Sequence, residues 1–234
     1  MKKTLAIFLS IVLIASVSIA NAAGKLSVEQ ENFHVIRSYS TYAYAYVKLV
    51  NVGNKPIKVN AGILEVFDEN GDTITSTDYL HEFAEYLQPD EYTYAYMSSK
   101  LEADQIDIVD DYLLTITGKS DTDKVCKRLP VTECSFTPDV QVRKYSTYDY
   151  MNATVTNNTD ETIYDIDVVF VLLDDEDNIL HMDYEYLGSA KGLTPNSSIS
   201  FRESVDSSTM EYFEANGYTP TKVDVIAYVT VDQE

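Results

Sequence analysis

Arg37-Ser38-Tyr39-Ser40-Thr41-Tyr42 returns further along the chain as Arg143-Lys144-Tyr145-Ser146-Thr147-Tyr148. Continued without a gap, the same register sets Asn51 on Asn157, Ile57 on Ile163, Asp68 on Asp174, Leu87 on Leu193 and Pro89 on Pro195, always 106 residues apart. A repeat of that length exceeds a solenoid unit and suits a whole small domain. The chain therefore reads as one module present twice, in residues 26–120 and 135–234, with 121–134 as the linker.

Each copy is patterned as short strands. From Tyr42 to Leu49, Ala43, Ala45, Val47 and Leu49 share one face, while Tyr42, Tyr44, Tyr46 and Lys48 share the other. The matching residues of the second copy are Asp149, Met151, Ala153 and Val155. Apart from the first they are apolar, which marks that face as the core. The runs Ile57–Phe67 and Ile163–Leu173 lead into Asp-Glu-Asn-Gly-Asp and Asp-Asp-Glu-Asp-Asn, which is hairpin chemistry. Strands follow near 73–80 and 178–186. The turns Leu87-Gln88-Pro89-Asp90 and Leu193-Thr194-Pro195-Asn196 each precede another alternating run. Closing strands fall at Tyr112–Thr117 and Val223–Val231, where setting Tyr112 on Val225 makes the second copy seven residues longer. Strands and turns at this spacing predict an all-β chain of two tandem immunoglobulin-like Greek-key sandwiches. One stretch departs from the pattern. Ser208-Thr209-Met210-Glu211 is a capping box with Gly217 as the stop, which predicts a short helix over 208–216.

The first 22 residues carry an export signal: Lys2 and Lys3, an apolar run from Leu5 to Ile19, and Ala20-Asn21-Ala22 as a cleavage site. The apolar run is shorter than the ~20 residues a spanning helix needs. The mature chain is thus expected outside the cytoplasm, as a secreted, periplasmic or cell-surface protein without membrane insertion. The formal charge of −21 becomes −23 once Lys2 and Lys3 are removed. Such a field repels nucleic acid and favours solubility. The two cysteines, Cys126 and Cys134, lie in the linker, and an even count in an exported chain predicts a disulfide that stiffens the hinge.

Leu64-Glu-Val-Phe-Asp-Glu-Asn-Gly-Asp-Thr-Ile74 and Phe170-Val-Leu-Leu-Asp-Asp-Glu-Asp-Asn-Ile-Leu180 resemble the FxLYD-type domain. That family consists of small immunoglobulin-like sandwiches on exported prokaryotic proteins. The second copy keeps Phe170, Leu172 and Asp174 but has Leu173 at the tyrosine position; the first keeps Asp68 and an aromatic at Phe67. Asn51, Asn157 and the Leu-x-Pro turns also resemble the family's pattern. The resemblance implies a fold, and it implies no catalytic residues and no cofactor.

Catalytic signals are sparse. His34, His81 and His181 occupy nonequivalent positions in the two copies, and no nucleophile-elbow sequence accompanies them. The acidic turns, Asp68 to Asp72 and Asp174 to Asp177, could offer oxygens to a cation, yet turn formation already accounts for them. No metal site is expected. Tyrosine is the distinctive excess, with 19 residues and no tryptophan. Tyr42, Tyr44 and Tyr46 on one strand, and Tyr92, Tyr94 and Tyr96 on its neighbour, are expected to form an exposed plate on the first copy. Such a plate suits an extracellular protein partner or a glycan. The sequence thus points to a noncatalytic interaction or spacer module, with polysaccharide or cell-wall binding through the tyrosine plate as the alternative and a weak hydrolase ranked behind it.

Overall fold

The computed structural model describes residues 24–37, 40–120, 123–143, 146–188, 190 and 192–233. The expected export signal, residues 1–22, lies outside them. The first copy contributes β1 (Leu26–Arg37), β2 (Thr41–Asn51), β3 (Ile57–Phe67), β4 (Thr73–Thr77), β5 (Leu80–Glu82), β6 (Tyr86–Leu87), β7 (Tyr92–Leu101) and β8 (Asp111–Ser120). The second contributes β9 (Lys124–Leu129), β10 (Val131–Arg143), β11 (Ser146–Thr156), β12 (Ile166–Leu173), β13 (Ile179–Leu187), β14 (Ser198–Val205), α1 (Ser207–Asn216) and β15 (Lys222–Asp232). The described chain is all-β apart from α1 and a 3-10 turn at Ile106–Ile108. No described helix is long and apolar enough to cross a membrane.

The repeated Arg-x-Tyr-Ser-Thr-Tyr motif falls at two strand pairs. Arg37 faces Thr41 across β1 and β2, and Arg143 faces Ser146 across β10 and β11. In the first copy a β1-β2-β7-β5 sheet faces one in which β3 carries β8 along one edge and β4 and β6 along the other. In the second, β10-β11-β14 faces β13-β12-β15-β9. All pairings are antiparallel. The alternation on β2 holds as read: Ala43, Ala45, Val47 and Leu49 are buried with Leu64, Val66 and Met97 in the first core. Met151, Ala153 and Val155 are buried with Phe170 and Leu172 in the second.

Duplication extends to single hydrogen bonds. Asn51 Nδ2 donates to the carbonyls of Lys55 and Leu87 at 2.8 and 3.0 Å, and its Oδ1 accepts from the Gly53 amide at 3.0 Å. Asn157 Nδ2 donates to Glu161 and Leu193 at 2.7 and 2.8 Å, and its Oδ1 accepts from the Thr159 amide at 2.9 Å. Both side chains are fully buried, so each amide replaces the water that the loop backbone would otherwise lose. Either residue changed to alanine leaves those groups unpaired, and should lower stability in urea unfolding by about 1–3 kcal/mol. The acidic turns are equally alike. Asp68 Oδ1 accepts from the Asn70 and Asp72 amides, both at 2.9 Å; Asp174 Oδ1 accepts from Glu176 and Asn178 at 3.0 and 2.8 Å. The donors at Asp68 hold its carboxyl below the usual carboxylate range. Gly71 (φ 82°) and Asp177 (φ 67°) fill the same left-handed position.

Four readings are corrected. Residues 124–134 are strand rather than linker: β9 pairs with β15, and Pro130, lacking an amide hydrogen, precedes the start of β10 in the facing sheet. Cys126 and Cys134 therefore belong to different sheets, and they form no disulfide. Cys126 is buried with Sγ 3.6 Å from Thr230 Oγ1, while Cys134 is exposed. The closing strand aligns through its pairing. Leu64 faces Leu114 and Phe170 faces Val225, so 114 corresponds to 225 and the second copy is longer by five residues rather than seven. The helix starts one residue earlier than expected, and its cap is Asp206 rather than Ser208. Asp206 accepts from the Ser208 amide at 2.8 Å, and Gly217 closes the helix at φ 78°.

Candidate functional site

The six tyrosines share the outer face of the β1-β2-β7-β5 sheet, as the alternation requires. Tyr46 pairs with Tyr96 across β2 and β7, with Lys48 opposite Tyr94 and Val50 opposite Tyr92. Tyr44 and Tyr46 stack at 5.6 Å, Tyr42 follows at 5.9 Å, and Tyr46 meets Tyr96 at 5.9 Å. The expectation of an exposed plate is overturned. Tyr46 is 1% and Tyr94 2% exposed, and Tyr42, Tyr44, Tyr92 and Tyr96 are half-buried. What covers the face is the second copy.

The reason lies in β12, which is apolar on both sides. Val168, Phe170 and Leu172 enter their own core, while Val169, Val171 and Leu173 point outward. That outward face cannot remain in water. It joins Tyr46, Tyr94, Phe83, Tyr86, Cys126, Ile179, Met182, Ile226 and Tyr228 in a third apolar cluster lying between the copies.

Polar contacts set the orientation of this seam. Tyr94 and Tyr92 both donate to Asp224 Oδ2, at 2.6 and 3.3 Å. Burial and the Asp224 carboxylate raise both phenol pKa values, so the hydroxyls stay protonated donors. Arg128 donates to the Tyr92 carbonyl and lies 5.7 Å from its ring, with Lys48 at 4.6 Å from the same ring.

Two histidines are built into the seam. His34 Nε2 donates to the Ile179 carbonyl at 3.2 Å, and Tyr212 Oη lies 3.5 Å from its Nδ1. Its ring is enclosed by Tyr46, Tyr212, Phe213 and Tyr218. His181 Nδ1 lies 3.5 Å from Tyr46 Oη, with Asp183 Oδ2 4.0 Å from its Nε2. Burial pushes both imidazoles down to about 4, so both are neutral at pH 7. His81 stacks on Tyr96 at 4.3 Å, with the exposed Tyr79 edge-on at 4.5 Å. Among the described residues no group of His, Cys, Asp or Glu is placed to hold a metal ion.

The corresponding face of the second copy, on β10-β11-β14, is open. Asn152 replaces Tyr46, Thr154 replaces Lys48, and Ser198, Ser200 and Arg202 replace Tyr92, Tyr94 and Tyr96. A groove of about 490 Å³ crosses this face, bounded by Glu133, Ser135, Asn152, Thr154, Ser200 and Arg202. Arg202 Nε donates to Asn152 Oδ1 at 3.1 Å, and Asn152 Nδ2 donates to Thr137 Oγ1 at 3.1 Å. Thr154 Oγ1 donates to Glu133 Oε2 at 2.8 Å and lies 3.1 Å from Ser200 Oγ. Arg202 also lies 4.7 Å from the Tyr150 ring, beside the exposed Tyr148.

No protein-family model matches the chain, and no curated protein matches it. Among solved structures, red sea bream transglutaminase aligns over 88% of this chain and 31% of its own, at 9% identity and a TM-score of 0.21. The C-terminal globular domain of an oligosaccharyltransferase from Pyrococcus abyssi aligns over 89% of this chain and 48% of its own, at 8% identity and a TM-score of 0.19. The chain thus spans less than half the length of either, and likenesses so slight carry no argument about function.

Proposed function

We propose that this chain is an exported, noncatalytic pair of immunoglobulin-like Greek-key sandwiches of the FxLYD type, acting outside the cell as an interaction or spacer module. The observation that supports this most is the seam. Tyr46 and Tyr94 are buried against the second copy, so the most distinctive side chains of the sequence fix one copy to the other. A spacer needs such fixed geometry, and an interaction module needs it to present a second face in a set direction. The strongly acidic surface suits a protein that must stay soluble and avoid polyanions.

Two measurements test this. Protease treatment of intact cells, or fractionation of the medium, should find the mature chain outside the cytoplasm. Small-angle scattering should give one interdomain distance that does not broaden when both cysteines are replaced by serine. A cytoplasmic chain, or a broad distance distribution in the unaltered protein, refutes the proposal.

A further inference from the structure

We propose that the groove on the outer face of β10-β11-β14 is a binding site for a neutral glycan. The proposal rests on the reading of the chain as an extracellular interaction module and names the ligand class of its free face. Duplication supplies the starting point. The same face of the first copy is a contact surface, covered by the second copy through Tyr46 and Tyr94. In the second copy the tyrosines at these positions give way to an amide, hydroxyls and a guanidinium. Copies that keep their cores alike and change this face have changed what the face meets.

The groups in the groove are held before any ligand arrives. Glu133 occupies a left-handed backbone position (φ 56°) where the β10–β11 register shifts between Thr132 and Ser135. That bulge brings its carboxylate to Thr154. In the first copy Glu29 lies in a bulge of β1 and reaches the equivalent strand position, Lys48, at 2.7 Å. The geometry is shared, while the cation that filled it is gone. The described hydrogen bonds use one oxygen of Glu133 and only Nε of Arg202, whose guanidinium also lies over the Tyr150 ring, so both side chains keep hydrogen-bonding capacity for a ligand.

The ligand chemistry follows from this set. A sugar ring presents hydroxyl edges that bridge an acceptor such as Glu133 and a donor such as Arg202, which Asn152 holds in place. Its C–H face packs on a tyrosine ring, and the exposed Tyr148 lies beside Tyr150, whose ring meets the Arg202 guanidinium. The apolar residues of the groove lining, Ala153 and Phe201, pack into the core, which leaves mainly polar side chains for a ligand to meet. The net charge of −21, or −23 after export, turns away anionic polymers, so the glycan is a neutral one.

The test uses the chain from Ala23 onward, incubated with insoluble cellulose, chitin, starch, β-1,3-glucan and mannan, with polygalacturonate as the anionic control. Titration with a soluble oligosaccharide of the retained type follows. The expected result is retention on at least one neutral polymer and none on the anionic one. Glu133→Gln, Asn152→Ala and Arg202→Gln should each weaken affinity tenfold or more, and Glu133→Gln and Arg202→Gln should leave the unfolding midpoint in place. Tyr79→Phe, outside the groove, should change nothing. Absence of retention on every neutral polymer, retention on the anionic polymer alone, or retention that all three groove variants keep, would each overturn the site. None of these outcomes touches localisation or scattering, which judge the module reading separately.

Discussion

Replacing Tyr46 by alanine should lower the unfolding free energy by about 3–5 kcal/mol, the range for deleting a fully buried aromatic side chain. Tyr46 is 1% exposed and within 6.4 Å, ring to ring, of Tyr44, Tyr96, His34 and His181. The ring therefore serves both copies at once. Tyr46→Phe keeps the ring and removes only the long contact with His181, so its cost should fall near 0.5–1.5 kcal/mol, an order-of-magnitude value for one hydrogen bond. Urea unfolding followed by circular dichroism distinguishes the two. The alanine variant should also broaden the interdomain distance in scattering, because the seam is what holds it. A loss below about 1 kcal/mol for alanine would mean that the face is solvated and the seam is not formed.

Acid should weaken the protein through His34. Its folded pKa is about 4, against about 6.5 for an unperturbed imidazole, because burial disfavours the charged ring and the nearby His181 adds to the effect. Between these two values the unfolded chain binds the proton and the folded chain does not. Stability contributed by the neutral ring is thus fully present above pH 6.5 and falls as pH drops toward 4, by up to about 3 kcal/mol. The groups around the ring are Tyr46 of β2, Tyr212, Phe213 and Tyr218 on and after α1, and the Ile179 carbonyl of β13, and none is an anion that would hold the imidazolium.

Other groups oppose this. Burial raises Asp167 to about 6 and Glu203 to about 7, so these carboxyls favour the folded state as pH falls. The clean measurement is consequently a difference. His34→Phe should cost stability at pH 7, through the lost bond to Ile179, and should lose that disadvantage, or reverse it, at pH 4.5. Asp167 and Glu203 are common to both proteins and cancel. A gap between the two proteins that is the same at both pH values would show that His34 is not desolvated.

Much of the fold can be read from the alternation on a few strands. Ala43 to Leu49 and Met151 to Val155 identify the inner faces directly, because a period of two assigns each residue to one side or the other. The same period is silent about what lies beyond the outer side, and for that reason six tyrosines facing away from one core read as a surface. The missing sign was in another strand. Val168 to Leu173 is apolar without interruption, whereas its counterpart Leu64-Glu65-Val66 is broken by a glutamate. A strand apolar on both sides is buried on both sides, and only one copy has it. The cysteine reading failed for a similar reason. Eight residues in sequence look close, but Pro130 lies between strands that enter opposite sheets. The register of the last strand, with no turn motif to fix it, needed its hydrogen-bonded partner.

The seam joins unlike faces: the β2–β7 side of the first copy meets the β12–β15 side of the second. Contacts of that kind are head-to-tail, and no symmetry axis closes them. Each copy carries both kinds of face, so the same rule applied again would add a third unit, then a fourth, toward a fibre. The residues at the two ends prevent this. Asn152, Ser200 and Arg202 stand at one end where tyrosines would be needed. At the other, Glu65, Thr115 and Thr117 stand where Val171, Ile226 and Tyr228 do in the seam. Divergence between the copies therefore leaves neither of their free faces with the residues that would repeat the seam.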